Sequence, residues 1–149
     1  MSTQEPISPL CDLTTGDYDE ILALWQRAGL SVRPEGRDGP AAFAQQMASG
    51  RQRIVGLRVG PTLVAVIVLT HDGRKGWINR LAVDPAYRRR GLARALIAEA
   101  ERWFTEELDV EVWAALIEGY NHDSQALFDR LGYRRHDIVY VSKRTRPEA

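Results

Sequence analysis

The six residues Arg88-Arg89-Arg90-Gly91-Leu92-Ala93 have the types and spacing to do chemistry. Three adjacent arginines repel one another and weaken a fold unless an anion sits among them. They stand directly before a glycine and an apolar-periodic run, "GLARALIAEAERWF". A glycine turn entering a helix aims several backbone N–H groups at one spot, and the helix dipole adds roughly half a positive charge there. This makes an anion site, with phosphate as its usual occupant. Gly91 admits a close approach to the backbone, Ala93 keeps the helix start narrow, and the arginines can add charge-assisted hydrogen bonds. A solvated basic helix start is the plainer alternative. The G-x-x-x-x-G-K-[ST] spacing is missing, which excludes a Walker loop, and so is the dinucleotide fingerprint G-x-G-x-x-G.

Composition restricts what the arginines can serve. Lys plus Arg and Asp plus Glu stand at 20 each, so no global field favours nucleic acid or an anionic membrane, and any basic function is local. The missing aromatic interleaving argues further against nucleic acid. A length of 149 residues predicts one domain over 1–149, and 44% apolar with 27% charged residues is the balance of an ordinary globular protein. The one cysteine, Cys11, has no internal partner and reads as a small core residue. No apolar run approaches the roughly 18 residues of a membrane span. The start, "MSTQEPISPL", lacks the basic opening and apolar centre of a signal peptide, so a cytoplasmic protein is expected. No His, Cys or carboxylate pair has metal-ligand spacing, so no metal is expected.

The elements that must position the arginines read as a β-hairpin followed by alternating strands and helices. A first strand is expected over 7–13. A capping box of Asp17 and Glu20 then opens a helix with Ile21, Leu24, Trp25 and Ala28 on one face, ending at Gly29. A polar Gly/Pro loop covers 30–40, and a short helix follows over about 41–49. "QRIVGLRV" and "TLVAVIVLT" flank Gly60-Pro61 as a hairpin whose second strand, apolar almost throughout, belongs mid-sheet. A fourth strand covers 77–83. The helix after the arginines runs over about 90–107 with Leu96, Ile97, Ala100 and Phe104 inward. A fifth strand covers 110–117, "DSQALFDRL" is a helix stopped by Gly132, and "DIVYVSK" is a closing strand. The four tryptophans fall within these elements and read as core. The fold class expected is α/β: a mixed, mostly antiparallel sheet of about six to seven strands with helices on both faces.

Arg88-Arg89-Arg90-Gly91-Leu92-Ala93 also matches the R/Q-x-x-G-x-G/A signature of the GNAT superfamily of N-acetyltransferases. The preceding "LAVDPAYR" resembles that family's fourth strand and its exit. "NHDSQALFDRLGY", residues 121–133, resembles its second block, commonly N-x-x-A-x-x-L-Y-x-x-x-G-F/Y. "HDGRKGWINRLAVDPAYRRRGLARAL" is similar to a bacterial subgroup of small single-domain acetyltransferases.

The resemblance implies acetyl-CoA as acetyl donor, with backbone amides of Arg89, Arg90, Gly91, Leu92 and Ala93 around the pyrophosphate and Arg94 beginning the helix above. Arg88 and Arg89 could reach the phosphates with side chains. It implies a pantetheine arm pairing with the backbone of Leu81 and Val83, in a gap between the fourth and fifth strands that a bulge opens. A backbone N–H near Leu81 or Ala82 would face the thioester oxygen, and Asn121, Ser124 and Phe128 would line the thioester side. The reaction implied is direct attack by a primary amine, of a small molecule or a protein, in a ternary complex. Where the family often carries an acidic tyrosine, this chain has Phe128. Tyr120 is the substitute donor, Glu118 the candidate base through a water, and Asn79 a residue that could position a water. The acceptor is expected beside loop 30–40 and the corner at 118–123, with Glu35, Asp38, Glu118 and Asp123 drawing in a cationic amine. A homodimer accords with the resemblance. The rival reading is an acetyl-CoA-binding sensor that has lost turnover, supported by Phe128.

Overall fold

A computed structural model describes residues 5–149; Met1 to Gln4, part of the stretch read for a leader, lie outside the described residues. Its spine is the apolar hairpin. Strand β3 (Thr62–His71) has seven successive buried residues, 63–69. Burying one Val, Leu or Ile is worth about 1.5–3 kcal/mol, so this run anchors the sheet. β3 pairs antiparallel with β2 (Gln52–Val59), and the register shifts between Leu57 and Arg58. Alternation sends Ile67 and Leu69 to one face and Val66 and Val68 to the other.

Helix α1 (Tyr18–Arg27) and helix α2 (Pro40–Ala48) cover the second face, where Ile21, Leu24, Trp25 and Phe43 join Val66 and Val68. Helix α3 (Leu92–Arg102) covers the first, with Leu96, Ile97 and Ala100 inward. A π-helical turn, Trp103–Glu107, extends α3. Helix α4 (His122–Arg130) adds Phe128 to the same core. The expected layers are therefore present.

Strand β1 (Cys11–Asp12) pairs with β2, and an isolated bridge joins Ile7 to Val59, so the strand expected over 7–13 is mostly irregular. The capping box lies one turn earlier than the spacing predicts: Thr14 N–H donates to Asp17 Oδ2 at 2.8 Å, and Gly16 N–H donates to Thr14 Oγ1. Glu20 instead meets Arg58, whose guanidinium also holds Asp17. The cross-sheet cation outcompetes a local cap.

The fourth strand is broken. β4 (Gly76–Ile78) and β5 (Ala82–Val83) both pair antiparallel with β3, yet three residues, Asn79, Arg80 and Leu81, stand opposite two, Ile67 and Val68. That extra residue is a bulge. Among the described residues strand β6 (Trp113–Ala115) pairs in parallel with β4 alone, so β5 keeps an unpaired edge facing the gap. The parallel pair is joined through α3, the crossover such a pair requires. Gly76 sits here because a Cβ would stand 2.5 Å from the Phe104 ring. The sheet order is β1-β2-β3-β4-β6, with β5 beside β3.

The closing strand expected from "DIVYVSK" is not formed. Residues 134–141 belong to no strand or helix, and Ile138, Val139, Tyr140 and Val141 are 71–84% exposed. The pattern is that of a strand, but among the described residues it pairs with no other strand.

Candidate active site

The arginine turn is built by two left-handed residues. Arg89 has φ 63° and Gly91 φ 76°. For arginine that conformation costs roughly 1–2 kcal/mol, a strain that folds retain where a site needs it. Gly91 is the N-cap of α3 and carries no side chain to satisfy the first helical N–H groups. The amides of Leu92, Ala93 and Arg94 therefore point, without intrahelical partners, into the space above the turn. A Cβ on Gly91 would meet nothing within 4 Å, so that space is open. Arg94 and the trio are exposed, and among the described residues none of Arg88, Arg89, Arg90 or Arg94 forms an ion pair. Arg88 leans back, its Nη2 and Nε donating long bonds of 3.4 Å to the carbonyls of Ala28 and Val83. Arg90 stacks on Tyr87 with 5.0 Å to the ring centre. Arg89 makes no side-chain hydrogen bond among the described residues.

The unpaired edge of β5 lies next along the chain. Ala82 is buried, Leu81 and Val83 half-buried, and Asp84 N–H donates to the Val64 carbonyl. Arg27 clamps this exit from α1, donating to Asp84 Oδ2 and the Leu63 carbonyl, each at 3.0 Å.

Beyond the bulge is a cavity of about 210 Å³ lined by Trp25, Asp38, Thr70, Asn79, Arg80 and Arg37, among others. Asn79 Nδ2 donates to Thr70 Oγ1 at 2.9 Å, which leaves its Oδ1 free to accept. Arg80 lies over Trp25 at 4.6 Å and donates to Asp38 Oδ2 at 2.9 Å. Burial holds the Arg80 guanidinium below its ordinary pKa, against the pull of Asp38. Asp38 is 6% exposed and also accepts from Arg33 N–H, so it cannot draw in a cationic acceptor as expected. Its charge is consumed by Arg80. Nothing in the sequence pattern distinguished Arg80 and Trp25 as cavity walls; a lone arginine in an apolar strand was the available signal.

The corner at 118–123 is open. Glu118 and Tyr120 are exposed, and the carbonyl of Glu118 accepts from Asn121 N–H and Gln125 Nε2. Asn121 caps α4 by accepting from Ser124 N–H at 3.2 Å. Phe128 is 5% exposed and meets Tyr133 edge-to-face at 4.8 Å. Tyr133 links three elements: it accepts from Trp113 Nε1 at 2.8 Å and donates to Glu101 Oε2 at 2.7 Å. Burial, then the Glu101 carboxylate, pushes the Tyr133 phenol well above its usual range.

Residues 18–133 match the model of the GNAT acetyltransferase family, and the chain belongs to that family. Its class is that of acetyl-CoA-dependent N-acetyltransferases. Among solved structures, the chain is similar to a ribosomal-protein-alanine N-acetyltransferase from Brucella melitensis biovar Abortus 2308, with TM-score 0.72, 17% identity, and 93% of this chain and 99% of that one covered. It is similar to the PaiA N-acetyltransferase from Thermoplasma acidophilum in complex with coenzyme A, at TM-score 0.77, 15% identity, and 90% and 93% covered. An acetyltransferase from Trypanosoma brucei gives TM-score 0.74 at 20% identity, with 93% and 99% covered. At these identities the likeness shows the fold.

Proposed function

We propose that the chain transfers acetyl from acetyl-CoA to a primary amine by direct attack in a ternary complex. The observation that carries it is the uncapped start of α3, ringed by unpaired arginines and adjoining the free edge of β5. The amides of Arg89, Arg90, Gly91, Leu92 and Ala93 hold the pyrophosphate, with Arg94 above them. Arg89 and Arg90 supply side-chain charge, while Arg88 is engaged with the carbonyls of Ala28 and Val83. The pantetheine arm pairs with the backbone of Leu81 and Val83, and Asn121, Ser124 and Phe128 flank the thioester side.

In the reaction the amine nitrogen bonds to the acetyl carbon as the carbon–sulfur bond breaks. The amine, with a solution pKa near 10, first gives up a proton. Asn79 holds the water that accepts it, passing it outward past Glu118. The thioester oxygen gathers negative charge against a backbone N–H at Leu81 or Ala82. The departing thiolate is stable enough to leave without a dedicated acid, a thiol pKa being about 8.5, and Tyr120 or water returns its proton. The acceptor sits in the cavity at Asn79. Its lining holds Arg37 and Arg80 against a single carboxylate already engaged, which favours an amine that carries an acidic group beside it.

Calorimetric titration of acetyl-CoA, followed by an amine panel with and without carboxylates, tests this. Micromolar-range binding with turnover on acidic amines is the expected result. Binding with no turnover on any amine would leave the sensor reading, and no binding would end both.

A further inference from the structure

The cavity beyond the bulge holds more positive charge than the chain itself answers. Arg80 and Asp38 meet at 2.9 Å, and Asp38 is buried. Arg37 lines the same cavity, and its guanidinium meets no carboxylate and makes no hydrogen bond among the described residues. The two cations are near enough to interact: burial lowers the Arg80 pKa, Asp38 raises it, and the Arg37 charge lowers it again. Two guanidiniums with one carboxylate leave a positive charge to be met. The Arg37 backbone is held in place. Its carbonyl accepts from Gln46 Nε2 on α2 at 2.8 Å, and Asp38 beside it is tied by Arg80, by Arg33 N–H and by the Tyr18 hydroxyl. The rest of the wall adds a donor and apolar surface. Trp25 Nε1–H is buried without an acceptor among the described residues. Phe43 and Val68 join Trp25 as buried apolar lining. The volume of about 210 Å³ holds roughly seven waters at about 30 Å³ each, which suits one small metabolite rather than a peptide.

Taking acetyl transfer as proposed, we infer that the acceptor is a free α-amino acid with an apolar side chain, and that Arg37 is the residue that selects it. The α-carboxylate pairs with the Arg37 guanidinium, whose planar fork matches it. Trp25 N–H offers a second donor to the carboxylate's remaining lone pairs. The amine lies at Asn79, and the side chain packs against Phe43 and Val68. The products are the N-acetylamino acid and the coenzyme A thiol, the proton lost by the amine balancing the one gained by sulfur. A peptide N-terminus carries an amide in place of the carboxylate and leaves Arg37 unmatched. A diamine brings a second cation to a site that is already positive.

L-leucine and L-leucinamide, which differ only in the carboxylate, test it under saturating acetyl-CoA. Leucine should exceed leucinamide in kcat/KM by about 10- to 100-fold, the range of a hydrogen bond to a charged group, with the difference lying in KM. Arg37→Met should erase that ratio through KM, and Arg37→Lys should restore part of it. Equal use of the two amines overturns the proposal, as does a preference that survives Arg37→Met. Turnover of putrescine with none of leucine overturns it while acetyl transfer stands. Where no amine is turned over, the acetyl-transfer reading fails, and calorimetric titration of both amines into the unaltered chain, with and without coenzyme A, decides the site separately. Leucine binding at least about 10-fold tighter than leucinamide supports the carboxylate site, and equal or absent binding overturns it.

Discussion

Gly91 is the position where one side chain separates the cofactor site from a merely basic helix start. A methyl there meets nothing, so Gly91→Ala should cost only the left-handed strain of φ 76°, roughly 1 kcal/mol, and leave acetyl-CoA affinity within a few-fold. Gly91→Glu places a carboxylate where the phosphates bind and should lower affinity at least about 100-fold, read by calorimetry. Equal affinity in both variants would remove the pyrophosphate from this turn. Phe128 tests the other end of the cofactor. If its ring lies against the departing sulfur, Phe128→Tyr supplies the missing acid and kcat should rise about 10-fold, with stability within about 1 kcal/mol. A loss of about 1–3 kcal/mol with unchanged kcat would mark a hydroxyl buried without a partner. At this scale the anion turn was legible because glycine and charge repulsion are local signals. Asp38 was not, since its partner Arg80 comes from 42 residues away and is brought in by the sheet.

The elements around the site owe their placement to polar ties that leave little trace in sequence. Trp113 on β6, Tyr133 after α4 and Glu101 on α3 form one chain of hydrogen bonds behind the cleft. Tyr133→Phe leaves the Trp113 N–H without its partner in a half-buried place and should cost about 1–3 kcal/mol by denaturant unfolding. The phenol's pKa is raised in the folded chain, so the neutral form is favoured there and the contribution is complete below the unfolded value near 10. Unfolding midpoints of the native chain should therefore fall as pH climbs through about 10 and beyond, and Tyr133→Phe should flatten that decline. On the acid side Glu99 contributes, since Arg102 and then Arg53 hold it below the ordinary carboxylate range. Its support is present above about pH 4.3 and is lost as pH drops through the lower folded value. The helices were readable because apolar residues recur every third or fourth position. The break between β4 and β5 was implied by the family resemblance alone, since "WINRLAV" holds no Gly or Pro to mark it and the bulge arises from register against β3.

For the molecule as a whole, the layered architecture followed from the order of elements, because a hairpin and then strand-helix-strand admits few arrangements. The fate of "DIVYVSK" did not follow, as a strand pattern calls for a partner edge without naming it. The splayed β5 edge and the uncapped α3 start are both unsatisfied in the free chain, so ligand binding and folding are linked. A ligand that binds only the folded state at 100 times its Kd adds about 2.7 kcal/mol. For a chain of this size each kcal/mol raises Tm by about 2–4 °C, so saturating acetyl-CoA should raise it by roughly 5–10 °C. Inorganic pyrophosphate fits the α3 start but offers nothing to the β5 edge, and it should give less than half that rise. Gly91→Glu should abolish both shifts while keeping its own unliganded Tm. Equal shifts from pyrophosphate and acetyl-CoA would mean that the gap beside β5 takes no part in holding the cofactor, and the pantetheine path would have to be redrawn.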